Sequence, residues 1–247
     1  MKYTLTFLLL ALLLGACKDK NTNTGTLEVK FIATYDDTPL VLGQNLAYDD
    51  YQLQILKSEF FVSEIALTDG SEIIEVQDID FVDFTNTNFT LENAENGFTL
   101  SFSEIPEGNY DGIRFGIGVP PTQNTTVPAD YNSDHVLSTG GFYWDAWNSF
   151  IFTKLEGKYE DEVGDFSGFF FHTGLDEMFR TSEGAINIDI SEDNTTVVEV
   201  YIDHKKLLEE QSGQYFDIQN NFANHDPLEP GPLLMLVNNY SQAISYK

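Results

Sequence analysis

The sequence predicts an all-β, sandwich-like single domain with a few short helices, including one at the C-terminus. Short runs of alternating apolar and polar residues recur along the chain, and glycine, proline and asparagine separate them. Short strands with frequent turn residues are typical of β-sandwiches and barrels. The chain shows no internal repeat and no change of composition, so we expect one folded domain.

The first half of the chain contains the clearest strand patterns. Leu27, Val29 and Phe31 alternate with Glu28 and Lys30, which predicts a half-buried strand at residues 26–35. Apolar patterning predicts further strands at residues 52–55, 59–67, 73–84, 98–102 and 110–119. Residues 120–138 contain three prolines and form a long predicted loop, of a length that is usually functional or mobile.

The second half continues with strands and ends in a helix. Strands are predicted at residues 149–156 and 166–173, and residues 185–191 and 196–202 are predicted to pair as a hairpin. Asp203 is a predicted N-cap for a short helix at 204–210, because aspartate accepts hydrogen bonds from the first helical N–H groups. Apolar residues at helical spacing behind Pro232 predict a terminal helix at 232–246.

The N-terminus has the pattern of a lipoprotein signal peptide. The apolar run FLLLALLL at residues 7–14 is shorter than the roughly twenty residues of a membrane-spanning helix. The tetrapeptide LGAC that follows is similar to a lipobox, which predicts lipidation of Cys17; an ordinary signal peptide with a chance cysteine is the alternative. We predict a signal peptide at residues 1–17, a polar tether at 18–25 and the folded domain at 26–247.

Charge and cysteine content limit the partners of the domain. The formal net charge of −28 excludes nucleic acid and anionic lipid as partners, so membrane attachment would depend on the lipid anchor alone. We expect an outer-membrane or cell-surface protein that faces the periplasm or the exterior. Cys17 is the only cysteine, so the mature domain has no thiolate, and a soft metal would be held by other groups.

No known catalytic motif is present, and we expect that the protein is not an enzyme. His204 is expected on the surface, beside two lysines. His172 follows three phenylalanines, where an imidazole is either a hydrogen-bonded core residue or a neutral metal ligand. The two tryptophans, Trp144 and Trp147, are either core or rim aromatics or participants in special chemistry.

Several motifs, taken in order, resemble the MbnP-like family of copper-binding lipoproteins and periplasmic proteins. They cover nearly all of the mature chain. The specific part is a tryptophan-to-KLEG block that is followed by an aromatic-His-x-Gly block. The matching segments are EFFVSEIAL (59–67), GNYDGIRFGIGV (108–119), YWDAWNSFIFTKLEG (143–157), FHTG (171–174) and the Asn224-His225 pair ahead of the terminal helix.

The resemblance implies a copper site and a redox partner. His172 and His225 are the implied copper ligands, and Trp144 or Trp147 is the implied site of oxidation. The implied partner is a dihaem c-type peroxidase of the MauG type, which in relatives converts a tryptophan to kynurenine. Two readings without metal remain as alternatives: a non-catalytic surface-interaction sandwich and a carbohydrate-binding sandwich in which a tryptophan stacks on sugar.

Overall fold

A computed structural model describes residues 23–209, 212–224 and 230–247 of the chain. These residues form two large sheets with a few short helices, so the predicted all-β sandwich is confirmed. Cys17 and the predicted signal peptide lie outside the described residues and stay predictions. None of the helices within the described residues is long and apolar enough to cross a membrane.

The longer strands all belong to the two large sheets. In chain order they are β1 (Thr24–Tyr35), β2 (Thr38–Pro39), β3 (Leu46–Tyr48), β4 (Tyr51–Asp69), β5 (Glu72–Asp83), β6 (Phe98–Pro106), β7 (Gly108–Tyr110), β8 (Gly112–Ile117), β9 (Tyr143–Trp144), β10 (Ser149–Phe150), β11 (Thr153–Glu160), β12 (Phe166–Thr173), β13 (Arg180–Gly184), β14 (Ile188–Ile190), β15 (Thr195–Asp203), β16 (Ala223–Asn224) and β17 (Ile244–Tyr246). The α-helices are α1 (Leu91–Asn96), α2 (Pro121–Asn124), α3 (His204–Leu207), α4 (Gly231–Asn238) and α5 (Tyr240–Ala243).

Two sheets enclose one apolar core. The first has the order β17-β15-β1-β2, with β6 also on β1, and the second has the order β13-β8-β4-β11-β12-β16, with β3 and β5 also on β4. The Phe31 ring of β1 meets Phe60 of β4 and Phe115 of β8 edge-on, with centroids 5.9 Å and 5.6 Å apart. Because each such buried ring contributes about 1.5–3 kcal/mol, contacts of this kind hold the sheets together.

Strand β4 is one continuous element where the sequence predicted two strands, at 52–55 and 59–67. Ile55 pairs with Gly157 and Lys57 pairs with Glu156, so Leu56 is the extra residue of a β-bulge. The bulge resets the alternation, which keeps Ile55 and Phe60 in the core while Leu56 is 40% exposed. The break in the apolar pattern between residues 55 and 59 therefore marks a β-bulge within one strand and not a turn between two strands.

The predicted hairpin of residues 185–191 and 196–202 is wrong. Strand β14 pairs with β7, and β15 runs parallel to β1 over nine residue pairs from Thr26 with Thr195 to Thr34 with Asp203. The inward side chains of β15, among them Val198 and Val200, are buried beside those of β1. Core packing between distant strands therefore decides the pairing, and the turn that follows β14 only redirects the chain.

The C-terminal helix is confirmed but is shorter than the predicted 232–246. Helices α4 and α5 end before Ile244, and β17 then pairs with β15. Asn239 separates the helices and is buried, and its side-chain amide donates to the carbonyl oxygens of Leu207 and Glu209. These bonds tie the end of α4 to the last residue of α3 and to the segment that follows it.

The prediction that His204 lies on the surface is wrong, because its side chain is 1% exposed. Asp203 does cap α3, and its carboxylate accepts from the N–H groups of Lys205 and Lys206. The cap turns the first helical residue inward. There Nδ1 of His204 lies 3.1 Å from the carbonyl oxygen of Ile202, and Nε2 lies 2.7 Å from Oγ of Ser58. A carbonyl only accepts, so Nδ1 carries the proton and Nε2 accepts from Ser58.

Burial of His204 predicts a stability that depends on pH. Desolvation lowers the pKa of His204 below the ordinary value of 6.5, so the unfolded chain binds the extra proton and stability is lost as the pH falls below that value. We expect the free energy of unfolding to fall more steeply in the wild type than in His204→Gln between about pH 7.5 and about pH 5. His204→Gln should itself cost about 1–3 kcal/mol near neutral pH.

Urea unfolding at several pH values measures this difference. His135→Gln, at a partly exposed histidine, is the matched control and should keep the wild-type pH profile. Parallel profiles for the wild type and His204→Gln would contradict the prediction.

Candidate metal centre

The outer face of the β4 sheet carries a grid of charged side chains around His172. Lys154 of β11 pairs with Glu59 of β4 on one side and with His172 of β12 on the other. Directly opposed residues share a face of a sheet, so these three side chains form one row. The next row consists of Lys57, Glu156 and Phe170. The registers of β4, β11 and β12 therefore bring His172 and Glu156 together.

A carboxylate holds the imidazole of His172. Nε2 of His172 lies 2.8 Å from Oε1 of Glu156, and the two side chains are 18% and 19% exposed. Nζ of Lys57 lies 3.4 Å from the same oxygen. Metal-ligating histidines are commonly held by a carboxylate on the second ring nitrogen, which fixes the ring orientation. The imidazole is thus oriented before any ligand arrives.

Lys154 attaches the tryptophan-bearing segment, residues 140–148, to the sheet. Its Nζ donates to the carbonyl oxygen of Gly141 at 2.9 Å and lies 3.7 Å above the ring of Phe142. Burial lowers the pKa of Lys154, and the carboxylate of Glu59 at 3.8 Å opposes that shift. Burial likewise raises the pKa of Glu59, against the effect of Lys57 and Lys154. The two half-buried charges therefore favour each other's ionised form.

The rest of the KLEG motif has a packing role. Leu155 points into the core and is 4% exposed. A Cβ atom at Gly157 would overlap the carbonyl oxygen of Gln54 and lie 2.6 Å from the ring of Phe169. Only glycine leaves room for the bulged β4 backbone and that ring at once. The KLEG motif therefore combines two outward-facing charged residues, Lys154 and Glu156, with one core residue, Leu155, and one glycine, Gly157, at which the backbone of β4 comes close.

The two tryptophans stack on each other, and Trp144 is the one beside His172. Their ring centroids are 4.7 Å apart at an interplanar angle of 22°. The Trp144 centroid lies 6.4 Å from that of His172 at 67°. Trp147 packs on Gly174, where an added Cβ would lie 2.9 Å from its ring. Trp147 thus supports Trp144 from behind, and both side chains are partly buried.

Asn124 fixes the far end of the tryptophan-bearing segment. Its Oδ1 accepts from the backbone N–H of Phe150 at 2.9 Å and from Oγ of Ser149 at 3.0 Å. Its Nδ2 donates to Asp176 at 2.7 Å. Asn124 is the last residue of α2, within the long loop predicted at 120–138, and that part of the loop supports the site.

The structure brings together three of the four predicted site residues. His172, Trp144 and Trp147 form one cluster, whereas His225 lies outside the described residues. The described chain reaches Asn224, whose backbone pairs with Phe171 immediately before His172. The resemblance included Lys154 and Glu156 in the KLEG block without giving them a role at the site, and Lys57 was missed, although the alternation of charged residues in both strands was a usable signal.

The described residues offer one candidate donor for a copper ion. Among residues 23–209, 212–224 and 230–247 no group of three or more His, Cys, Asp and Glu could hold a metal ion. His172 contributes one imidazole, and its bond to Glu156 is the arrangement found around bound metals. His172 therefore fits the implied ion as a single ligand, and a copper site would need further donors.

A family model described as MbnP matches residues 24–227 of the chain. The matched range contains the whole cluster of Trp144, Trp147, Glu156 and His172. No curated protein and no solved structure matches the chain.

The anchoring by Lys154 is testable because both tryptophans of the chain lie in the segment that it holds. Lys154→Met keeps the apolar stem over Phe142 but removes the bond to Gly141, so we expect stronger acrylamide quenching of tryptophan fluorescence. We also expect a loss of about 1–2 kcal/mol in unfolding free energy.

Lys158→Met is the matched control, because Lys158 is an exposed lysine on the same strand. It should leave the quenching unchanged. Equal quenching in the Lys154→Met variant and the wild type would show that Lys154 does not hold the segment.

Proposed function

This chain belongs to the MbnP family, and from that premise we propose that it binds copper outside the cytoplasm, at the surface where Trp144 lies edge-on to His172. Membership supports an extracytoplasmic protein of the copper-binding type. The observation that carries the residue assignment is the 2.8 Å contact between His172 and Glu156 beside the tryptophan pair.

We assign His172 and His225 as the imidazole ligands. Asn224, which precedes His225 in the sequence, pairs with Phe171, which precedes His172. Imidazoles bind copper without a thiolate, and the mature domain has none.

Trp144 is the tryptophan that we propose for oxidation by a dihaem c-type peroxidase of the MauG type. Its ring neighbours His172, whereas Trp147 packs on Gly174. Two molecules of hydrogen peroxide, as the oxidant, would together place one oxygen on each of the indole carbons C2 and C3 while the bond between these carbons breaks, and two molecules of water would be released. Hydrolysis of the resulting formyl group releases formate and leaves kynurenine, a new donor next to His172.

In this proposal the protein is a substrate of, or partner to, the peroxidase and is not itself a catalyst. Lipidation at Cys17 would tether it to the outer membrane or cell surface, facing the periplasm or the exterior. The formal charge of −28 supports the attraction of cations to this surface.

Copper titration tests the site. We expect the purified chain to bind Cu(I), and His172→Ala to bind it at least about 10-fold more weakly because a direct ligand is lost. His135→Ala is the matched control, since His135 stacks on Tyr131 and is outside the cluster, and it should bind copper as the wild type does. Competition with a chromophoric Cu(I) chelator measures each affinity.

Copper binding no tighter than that of serum albumin, or binding that His172→Ala leaves unchanged, would contradict the proposal. Either result would favour the alternatives without metal. Quenching of tryptophan fluorescence by glycans would then indicate the carbohydrate-binding alternative. If glycans do not quench the fluorescence, the surface-interaction alternative is favoured.

Production of the chain with a dihaem peroxidase tests the tryptophan assignment. We expect intact-mass and peptide analysis to find kynurenine at position 144. Trp147→Phe should retain the modification and Trp144→Phe should abolish it. Modification at position 147, or none while the peroxidase oxidises a known substrate, would refute the assignment.

A further inference from the structure

We propose that the protein has a second binding site, which takes a small molecule with a carboxylate at one end and an ammonium at the other, such as a free basic amino acid. The site is a cavity of about 490 Å³ over β4, between β5 and β8, and its volume is within the usual range for small-ligand sites. We call it the Arg114 pocket; its walls include Arg114, Glu64, Glu75, Asp78, Ile73 and Val76. None of its lining residues belongs to the cluster around His172, so the proposal is independent of copper.

The strand registers set a cationic and an anionic side chain on opposite sides of the pocket. Phe115 of β8 faces the core, so its neighbour Arg114 lies on the outer face. Arg114 pairs with Ala66 of β4, and Ala66 pairs with Glu75 of β5. Neighbouring strands lie about 4.8 Å apart, so the backbones of Arg114 and Glu75 are separated by roughly 10 Å. Because Ala66 carries only a methyl group, it leaves a gap between the two longer side chains.

Two β-bulges beside Ala66 shape the walls of this gap. On the β8 side, Glu64 and Ile65 of β4 stand opposite the single residue Phe115. On the β5 side, Val76 is the extra residue. Bulges redirect side chains out of the regular alternation of a strand, and both Glu64 and Val76 line the pocket. The bulges therefore add a second carboxylate and an apolar contact to the walls.

Arg114 is the residue that we assign to the carboxylate of the ligand. Within the described residues, its Nε is buried and has no hydrogen-bond partner. The ion pairs of the described chain involve lysines and His172, and none involves Arg114. A guanidinium only donates, and its planar fork of N–H groups matches a carboxylate. The described chain therefore leaves the charge of Arg114 available to an anionic group of a ligand.

The opposite side of the pocket favours a cationic group. The carboxylates of Glu64, Glu75 and Asp78 line the pocket and outnumber the single guanidinium. Nε2 of Gln123 donates to Oδ2 of Asp78 at 2.6 Å and so holds one of these carboxylates in place. An ammonium between them gains from each carboxylate, whereas a purely anionic ligand is repelled.

The apolar wall fits the part of the ligand between its charged ends. Ile73 is 52% exposed and lines the pocket together with Val76. Methylene groups pack on such side chains while the charged ends stay at polar partners. L-lysine has a carboxylate at one end, an ammonium at the other and methylene groups between them, and it is the probe that we choose.

Calorimetric titration of the purified chain tests the two ends of the ligand separately. Cadaverine lacks the carboxylate of L-lysine, and L-norleucine lacks the side-chain ammonium. We expect the chain to bind L-lysine, and to bind each analogue at least about 10-fold more weakly because one charged contact is lost. Arg114→Met should weaken L-lysine binding by a similar factor and bind cadaverine no more weakly than the wild type does. Glu75→Gln should weaken L-lysine and cadaverine but not L-norleucine.

Arg180→Met is the matched control, because Arg180 is outside the pocket and is held by the side chain of Asn238 and the carbonyl oxygen of Glu177. It should bind all three probes as the wild type does. His172→Ala should also leave L-lysine binding unchanged, so a failure of the copper proposal does not affect this one. No binding of L-lysine to the wild type, tighter binding of L-glutamate or glucose, or an unchanged preference for L-lysine over cadaverine in Arg114→Met would overturn the inference.

Discussion

The continuous strand β4 is the constraint on which the rest of the structure depends. Strands β8 and β11 follow each other along one edge of β4. At the point where they meet, the N–H of Phe61 donates to the carbonyl oxygen of Phe152, and the carbonyl oxygen of Phe61 accepts from the N–H of Gly118. One face of β4 holds the core through Phe60, and the other presents Lys57 to Glu156. A slip of one residue would exchange the two faces, so the core that fixes the register also fixes the polar grid.

The two faces of β4 differ in how much free energy their side-chain contacts contribute to folding, and this indicates different roles for them. Ion pairs between partly exposed side chains, such as Lys57 with Glu156 at 3.4 Å, contribute about 0–1 kcal/mol each. A fully buried ring such as Phe31 contributes about 1.5–3 kcal/mol, so the core supplies the stability. The outer charges are therefore better understood as devices that orient His172 and hold the segment bearing Trp144.

Local patterns predicted the strands well, because alternation records which side of a strand is buried. They failed where a distant contact decides the outcome. The bulge at Leu56 interrupts the apolar pattern in the same way as a turn between two strands would. Strand β15 pairs with β1 and not with the strand that precedes it in the chain. His204 is buried because its two ring nitrogens bond to Ser58 and Ile202. At the site, His172 and Trp144 could be predicted as candidate residues from their residue types. The pairing of Glu156 with His172 could not, because it depends on strand registers that no single segment of the sequence encodes.

The parallel pairing of β1 with β15 has a consequence for how the chain reaches its folded state. Lys30 and Glu199, which bond across that pair, are 169 residues apart in sequence. Contacts of such long range slow the closure of a core, because a large loop must be ordered first. A chain that ends before β15 has β2 and β6 to pair with β1 but lacks the parallel partner of β1, so the first sheet stays incomplete. The first sheet can therefore be completed only once the chain as far as Asp203 is available to fold.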